Sequence, residues 1–276
     1  MELSTLLQYK PYSTARTEKR ALYAGLLTEL TQFHREHCPE YGRLLDALGC
    51  PAHMDCTVES TPMLPVSLFK ELELRSIPEG EVFKTLTSSG TTGQRVSRIF
   101  LDGATSACQQ QALCQIMSDF LGERRLPFLV LDSRQVLRNR AMFSARGAGI
   151  LGFSIFGTRP CYALDEHMEL DLDGVRAFLE EHQGETIFLF GFTFIIWKHV
   201  VRALEERGER LDIPNGILVH GGGWKKLAGE AVSPGEFKAR VAAATGVERV
   251  SNYYGMAEQT GCIYMECPQG HLHASL

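Results

Sequence analysis

Thr87-Ser88-Ser89-Gly90-Thr91-Thr92-Gly93 concentrates hydroxyls and glycines in one short stretch. Such a loop has little to bury. It presents backbone N–H groups that glycine lets approach a ligand closely, and hydroxyls able to donate to phosphate oxygens. A plain turn between strands has the same composition. The stretch is not a Walker A loop, because Gln94-Arg95 follows Gly93 where Lys-Ser/Thr would have to stand. Asn252-Tyr253-Tyr254-Gly255-Met256-Ala257-Glu258 combines a flat aromatic ring, a glycine for a sharp turn and a carboxylate suited to magnesium. His220-Gly221-Gly222-Gly223-Trp224 has the form of an esterase oxyanion loop, but no G-x-S-x-G nucleophile elbow occurs in the chain, which excludes that order of parts. Phe190-Gly191-Phe192-Thr193-Phe194-Ile195-Ile196-Trp197 reads as a buried strand running into a core helix. Cys262, Cys267, His271 and His273 form a C-x4-C-x3-H-x-H pattern whose ligand types could hold structural zinc, although the spacing is not a standard zinc motif.

The elements that must position these residues follow from periodicity. Thr14 to His37 is expected to be a helix ended by Cys38-Pro39, with a shorter helix over Tyr41 to Leu48. The prolines of Thr61 to Val66 impose extended chain, and Val66 to Leu72 is expected to turn helical. Strands are expected at Glu81 to Leu86 and Val96 to Leu101. From there the pattern alternates: helix Ala104 to Leu121, strand Pro127 to Leu131, helix Arg138 to Ile150, strand Gly152 to Phe156, helix Leu172 to His182, strand Thr186 to Phe190, helix Thr193 to Arg207, strand Gly216 to Val219, helix Pro234 to Thr245 and strand Val247 to Tyr253. The alternation predicts an α/β fold, β-sheet flanked by helices, with ligands outside the carboxyl ends of the strands.

Bulk properties bound the function classes. The chain is long enough for a sizeable core. A net charge of −5 with 22% charged residues argues against a nucleic-acid binder working through a basic face. No run of about 18 apolar residues is present, so no membrane span is expected. No signal peptide is evident, and the eight cysteines are scattered rather than framed, which fits reduced thiols and a cytoplasmic location.

Ser88 to Gly93 resembles the S-G-T-T-G signature of the adenylate-forming superfamily, without its following Pro-Lys. Asn252 to Glu258 resembles that superfamily's Asn-x-Tyr-Gly-x-Thr-Glu motif, with Ala257 in the threonine's place. Pro65-Val66-Ser67-Leu68-Phe69-Lys70, Thr87 to Gln94, His220 to Lys226 and Tyr254 to Gly261 are together similar, in the same order, to the acyl-protein synthetase (LuxE) family. The resemblance implies the fold of the large N-terminal domain of adenylate-forming enzymes: residues 81–276 as the nucleotide-binding domain, with residues 1–80 a helical segment packed on it. It implies ATP-dependent conversion of a fatty or other carboxylic acid to an acyl-adenylate, then acyl transfer to a thiol on a protein cysteine or CoA, and onward to an acyl reductase partner.

By the same resemblance ATP lies on Ser88, Ser89, Gly90, Thr91, Thr92, Gly93, Gly222, Gly223, Trp224 and the motif Asn252, Tyr253, Tyr254, Gly255, Met256, Ala257. Asn252 would bond the adenine amino group, Tyr254 would stack on the ring and Glu258 would hold Mg2+. Thr91, Arg95 and Glu258 form the catalytic set, with Arg95 or Arg98 standing in for the family's missing lysine. Phe192 and Phe194 would line the acyl pocket. Related phenylacetate-CoA-ligase-like enzymes, some with metal near Cys262, and a non-catalytic nucleotide-binding subunit are the alternatives. Family members continue by roughly one small domain past this motif. That tail carries a ribose-binding acid, a lid and the acceptor cysteine. The chain stops at Leu276, so a truncated large domain with impaired turnover is expected, and no cysteine is assigned as acceptor.

Overall fold

The computed structural model describes residues 3–88, 95–138, 145–260 and 263–275. The chain forms two compact units. One comprises residues 1–119, 255–263 and 274–276; the other comprises 120–254 and 264–273. The β-hairpin and the long helix that follow residue 80 therefore group with the N-terminal helices.

In the first unit, helix Arg16–His37 ends at Cys38, whose N–H still bonds His34 O, and Pro39 opens helix Pro39–Ala47 at its first turn. Strands β1 (Lys84–Thr87) and β2 (Arg98–Leu101) pair antiparallel. Helix Gly103–Leu121 follows, and Asp102 Oδ1 accepts the Thr105 N–H at 2.6 Å just before it.

The second unit holds a seven-stranded mixed sheet in the order β4-β3-β5-β6-β7-β8-β9. These strands are β3 (Leu126–Ser133), β4 (Gly157–Leu164), β5 (Ile187–Phe192), β6 (Gly216–Gly221), β7 (Arg249–Tyr254), β8 (Tyr264–Glu266) and β9 (Leu272–His273). The first five run parallel, and β7-β8-β9 is antiparallel. Every residue of β5 and β6 is buried, as expected for central parallel strands covered on both faces. Stacked Phe128 and Phe188 (4.8 Å) and Phe153 and Phe190 (4.4 Å) fill the core around them.

The flanking helices carry local signals for where they begin and end. Asp171 caps helix Leu172–Glu181 by accepting the Gly174 N–H at 3.0 Å. Ser233 accepts the Glu236 N–H ahead of helix Pro234–Thr245, which stops at Gly246 in the left-handed region (φ 74°). The run Thr193–Ile195, Ile196–Val201 and Arg202–Arg207 is helical throughout, with a π-helical middle, and it ends at Gly208.

One expected strand is absent. Residues 152–153 close helix Ala145–Phe153, and Ser154–Phe156 forms a 3-10 turn; the strand begins at Gly157. Short apolar runs fit a helix end as well as a strand, and here Phe153 is buried from the helix. No helix among the described residues is long and apolar enough to cross a membrane.

Candidate functional site

In the second unit the chemistry-bearing residues collect at the carboxyl ends of β5, β6 and β7. The register pairs Phe192 with Gly221, His220 with Asn252 and Gly221 with Tyr253. Two glycines allow this approach. A Cβ at residue 221 would overlap the Tyr253 ring, and Gly222 takes φ 77° with Phe192 Cδ1 3.0 Å from where its Cβ would be.

Thr193 fastens the glycine loop to the sheet. Its hydroxyl lies 2.9 Å from His220 Nδ1, 3.1 Å from Gly221 O and 2.9 Å from Gly222 O. The hydroxyl has one proton and the carbonyls can only accept, so His220 donates from Nδ1–H to the hydroxyl, which donates onward to the carbonyls. Burial, reinforced by the Lys238 charge, pushes the His220 pKa down to about 3. His220 is therefore a neutral structural link at physiological pH. Its ring lies 4.6 Å from that of Phe237.

Asn252 is braced through its backbone. Its backbone N–H donates to Glu266 Oε2 at 2.8 Å, and Glu266 Oε1 pairs with Lys238 Nζ at 2.9 Å. Glu266 is only 5% exposed, so this pair is a fixed strut behind β7. Asn252 Oδ1 is buried without a hydrogen-bond partner among the described residues. A buried acceptor of this kind costs free energy unless a ligand donor meets it. The Tyr253 phenol packs near Phe153 and Phe190, and burial pushes its pKa up to about 12. Tyr254 at the strand end is 49% exposed, with its ring 6.2 Å from that of Tyr264.

Other sequence-predicted residues sit differently. Trp224 makes edge contacts with Trp197 and Phe237, so its ring packs onto the core helices. Phe192 is 6% exposed and packs edge-on against Phe190, which makes it part of the core. Phe194 is half-buried in the following helical turn. Cys267, His271 and His273 belong to the β8–β9 hairpin, where Cys267 N–H bonds His271 O. Cys262 lies outside the described residues, and no group of three His, Cys, Asp or Glu disposed to hold a metal occurs among the described ones.

In the first unit, Ser89, Gly90, Thr91, Thr92 and Gly93 lie outside the described residues. The base of their loop is described. Ser88 N–H donates to Ser97 O (3.2 Å), and Ser97 N–H donates to Ser88 Oγ (3.0 Å). Ser97 is fully buried, and its Oγ has no hydrogen-bond partner among the described residues. Arg95 is exposed in an ion pair with Glu71 (2.9 Å), and Arg98 reaches Glu73 at 3.5 Å. Gly255 and Met256 are exposed, while Ala257 and Glu258 are half-buried. The buried Nε2 of Gln259, next to Glu258, also lacks a partner among the described residues. Glu258 lines a cavity of about 890 Å3. A single carboxylate suffices for magnesium when substrate phosphates complete the shell, so this donor set fits that ion.

Sequence reasoning missed Thr193, Lys238 and Glu266 as positioning residues. It also missed Asp132 at the end of β3, wholly buried and held in a two-pronged ion pair by Arg146, whose Nε lies 2.9 Å from Asp132 Oδ2. An acidic residue closing an apolar strand was the available signal for the last of these.

The sheet order, with motifs at its carboxyl edge, defines the large-domain fold of adenylate-forming ligases. Among solved structures the chain resembles 2-hydroxyisobutyryl-CoA ligase in complex with 2-HIB-AMP and CoA in the thioesterification state (TM-score 0.63, 18% identity, 96% of this chain and 56% of that one). It also resembles the same ligase in the postadenylation state with R3-HIB-AMP (TM-score 0.58, 15% identity, 95% and 58%). The chain thus spans a little over half the length of these ligases. A search of curated proteins finds no match. The profile of the family described as acyl-protein synthetase, LuxE, matches residues 2–275, and the chain belongs to that family.

Proposed function

We propose that the chain activates a carboxylic acid with ATP. The substrate carboxylate attacks the α-phosphorus, the bond to the pyrophosphate leaving group breaks, and acyl-adenylate forms. A thiol then attacks the acyl carbon and AMP leaves. The observation that carries this reading is Asn252 Oδ1, a buried acceptor without a partner beside the exposed ring of Tyr254. An adenine would supply an amino donor to that oxygen and a flat face to lie against the ring. The hydroxyl and glycine composition of Ser88 to Gly93 favours phosphate binding. Glu258 would hold Mg2+, which offsets phosphate charge when bound. Ala257 offers no hydroxyl where the family threonine stands.

Family membership favours a fatty acid as substrate, a protein cysteine as acceptor and a reductase as recipient. The seven free cysteines among the described residues accord with the cytoplasm. The test is calorimetric titration with Mg-ATP and with a non-hydrolysable acyl-adenylate analogue, beside Glu258→Ala. Binding of the analogue that weakens in the variant is expected; absence of binding by either ligand overturns the reading.

A further inference from the structure

Arg95 and Arg98, which follow the glycine and hydroxyl stretch, meet two carboxylates that come from one short segment of the first unit. That segment begins with the short helix Leu68–Glu71, which stops at Leu72 in extended conformation (φ −118°, ψ 149°). Extended chain sends successive side chains to opposite sides. Leu72 and Leu74 are accordingly half-buried, while Glu71 and Glu73 are exposed. Two acids, two positions apart, thus face two arginines three positions apart. The stretch Pro65 to Lys70, which the nucleotide site does not otherwise use, leads directly into them.

The two pairs are not equivalent. Glu73 is shared: its Oε1 accepts from Arg75 Nε at 3.1 Å, and its Oε2 faces Arg98 Nη2 at 3.5 Å. Both guanidinium groups also lie 5.8 Å from the centre of the Phe100 ring. Arg75 donates onward to Ile77 O at 3.0 Å, and Arg98 belongs to β2, opposite Thr87. Each member has more than one attachment, so this cluster is a strut. Arg95 precedes the strand and has one ion-pair partner among the described residues, Glu71 at 2.9 Å. Its side chain is 75% exposed and that of Glu71 60%. A pair this open to water shifts an equilibrium by about fivefold at most, and salt screens it. It places Arg95 without committing it.

We infer that Glu71 is the resting partner of Arg95, from which an anionic phosphate ligand takes the guanidinium over, while Arg98 stays in the strut with Glu73, Arg75 and Phe100. The inference rests on the acyl-activation reading for the identity of the natural ligand, but the exchange itself can be measured with inorganic pyrophosphate alone. Phosphate oxygens accept from the guanidinium fork in pairs and carry more charge than a carboxylate, so the ligand wins the exchange. Glu71 competes for the same donors, which lowers the affinity of the resting chain. It is therefore a positioning residue that acts through Arg95 and touches no ligand itself.

The experiment titrates pyrophosphate, and separately Mg-ATP, into the wild-type chain, Arg95→Gln, Arg98→Gln, Glu71→Gln and the double variant Glu71→Gln with Arg95→Gln. Arg95→Gln should weaken pyrophosphate about tenfold or more, the worth of a charge-assisted hydrogen bond. Arg98→Gln should weaken it less and lower the melting temperature instead. Glu71→Gln should tighten pyrophosphate by about two- to fivefold, the worth of the pair it removes. In the double variant that gain should vanish and the Kd should match Arg95→Gln. A gain that survives without Arg95 overturns the inference, because Glu71 would then act as a distant charge. A larger loss in Arg98→Gln than in Arg95→Gln, or no pyrophosphate binding at all, also overturns it. Phenylglyoxal labelling with peptide mapping reads the exchange directly. Arg95 should label faster in Glu71→Gln than in the wild type, and pyrophosphate should protect it; equal labelling in both proteins counts against the resting pair. Pyrophosphate held through Arg95 in a chain that binds neither Mg-ATP nor the acyl-adenylate analogue would sink the activation reading and leave the exchange standing. Mg-ATP binding indifferent to Arg95 would do the reverse.

Discussion

Asn252 has two separate roles, and they can be pulled apart. Its backbone N–H braces β7 against Glu266, whereas its side-chain oxygen meets no donor among the described residues. Asn252→Ala keeps the brace and deletes a buried acceptor whose desolvation is uncompensated. Thermal stability should hold or rise slightly, while the Kd for ATP should increase about tenfold or more, the equivalent of one lost hydrogen bond of ~1.4 kcal/mol. Calorimetry and a melting curve on the same sample check both halves; a fall in stability with unchanged affinity would return Asn252 to a purely structural role. Lys238 poses the opposite case. Lys238→Met leaves Glu266 charged, buried and unpaired, and breaking such a pair costs ~3–5 kcal/mol. Lys238→Met combined with Glu266→Gln should recover a good part of that loss in denaturant unfolding, because the stranded charge is gone and an acceptor for Asn252 N–H remains.

At the scale of elements, the site depends on how the end of β6 is tied to the start of the helical run that follows β5. Thr193→Val preserves shape and removes the hydroxyl that serves His220, Gly221 O and Gly222 O. The buried groups left without it should cost ~1–3 kcal/mol, and the loosened glycine loop should weaken nucleotide binding as well. Thr193→Ser should restore both, which a packing defect alone would not allow. The sequence makes β5 and β6 legible because central parallel strands are continuous apolar runs. Helix Pro234–Thr245 is legible at both ends, since Ser233, Pro234 and Gly246 are local signals. β4 is not, because it is an edge strand with Arg159 and Pro160 exposed in its middle, and the apolar run before it belongs to a helix. Within the pattern at 262–273, Cys267 and His271 flank a hairpin turn whose Gly270 has φ 82°, a placement that spacing in sequence does not reveal. Motif residues of the site could be named in advance because they are contiguous. Thr193, Lys238 and Glu266 could not, since they reach the site only through tertiary packing.

For the whole molecule the consequential quantity is its response to acid. The chain carries a net charge of −5 at pH 7 and a sequence pI of about 6.0, so mild acid brings it through neutrality. Stability over that range is governed by groups whose affinity for protons differs between folded and unfolded states. His220 is held neutral by burial, with a folded pKa of about 3 against an ordinary 6.5. The unfolded chain therefore binds a proton that the folded one refuses. Its contribution is fully present above pH 6.5 and is lost progressively as pH falls toward 3. His34 and His199 are also lowered by burial and act in the same direction. Between pH 6.5 and 5 the lowered carboxylates of Glu59 and Asp165 stay ionised in both states, which leaves histidines to set the slope there. One histidine traversing that interval is worth about 2 kcal/mol, or roughly 4–8 °C in Tm for a domain near this size. His220→Asn can still donate to Thr193 but has nothing to titrate. Melting curves at pH 7 and pH 5 should show the wild type losing several degrees more than the variant. Equal losses would mean that His220 becomes protonated within the folded protein, and that the neutral link through Thr193 to the glycine loop is wrong.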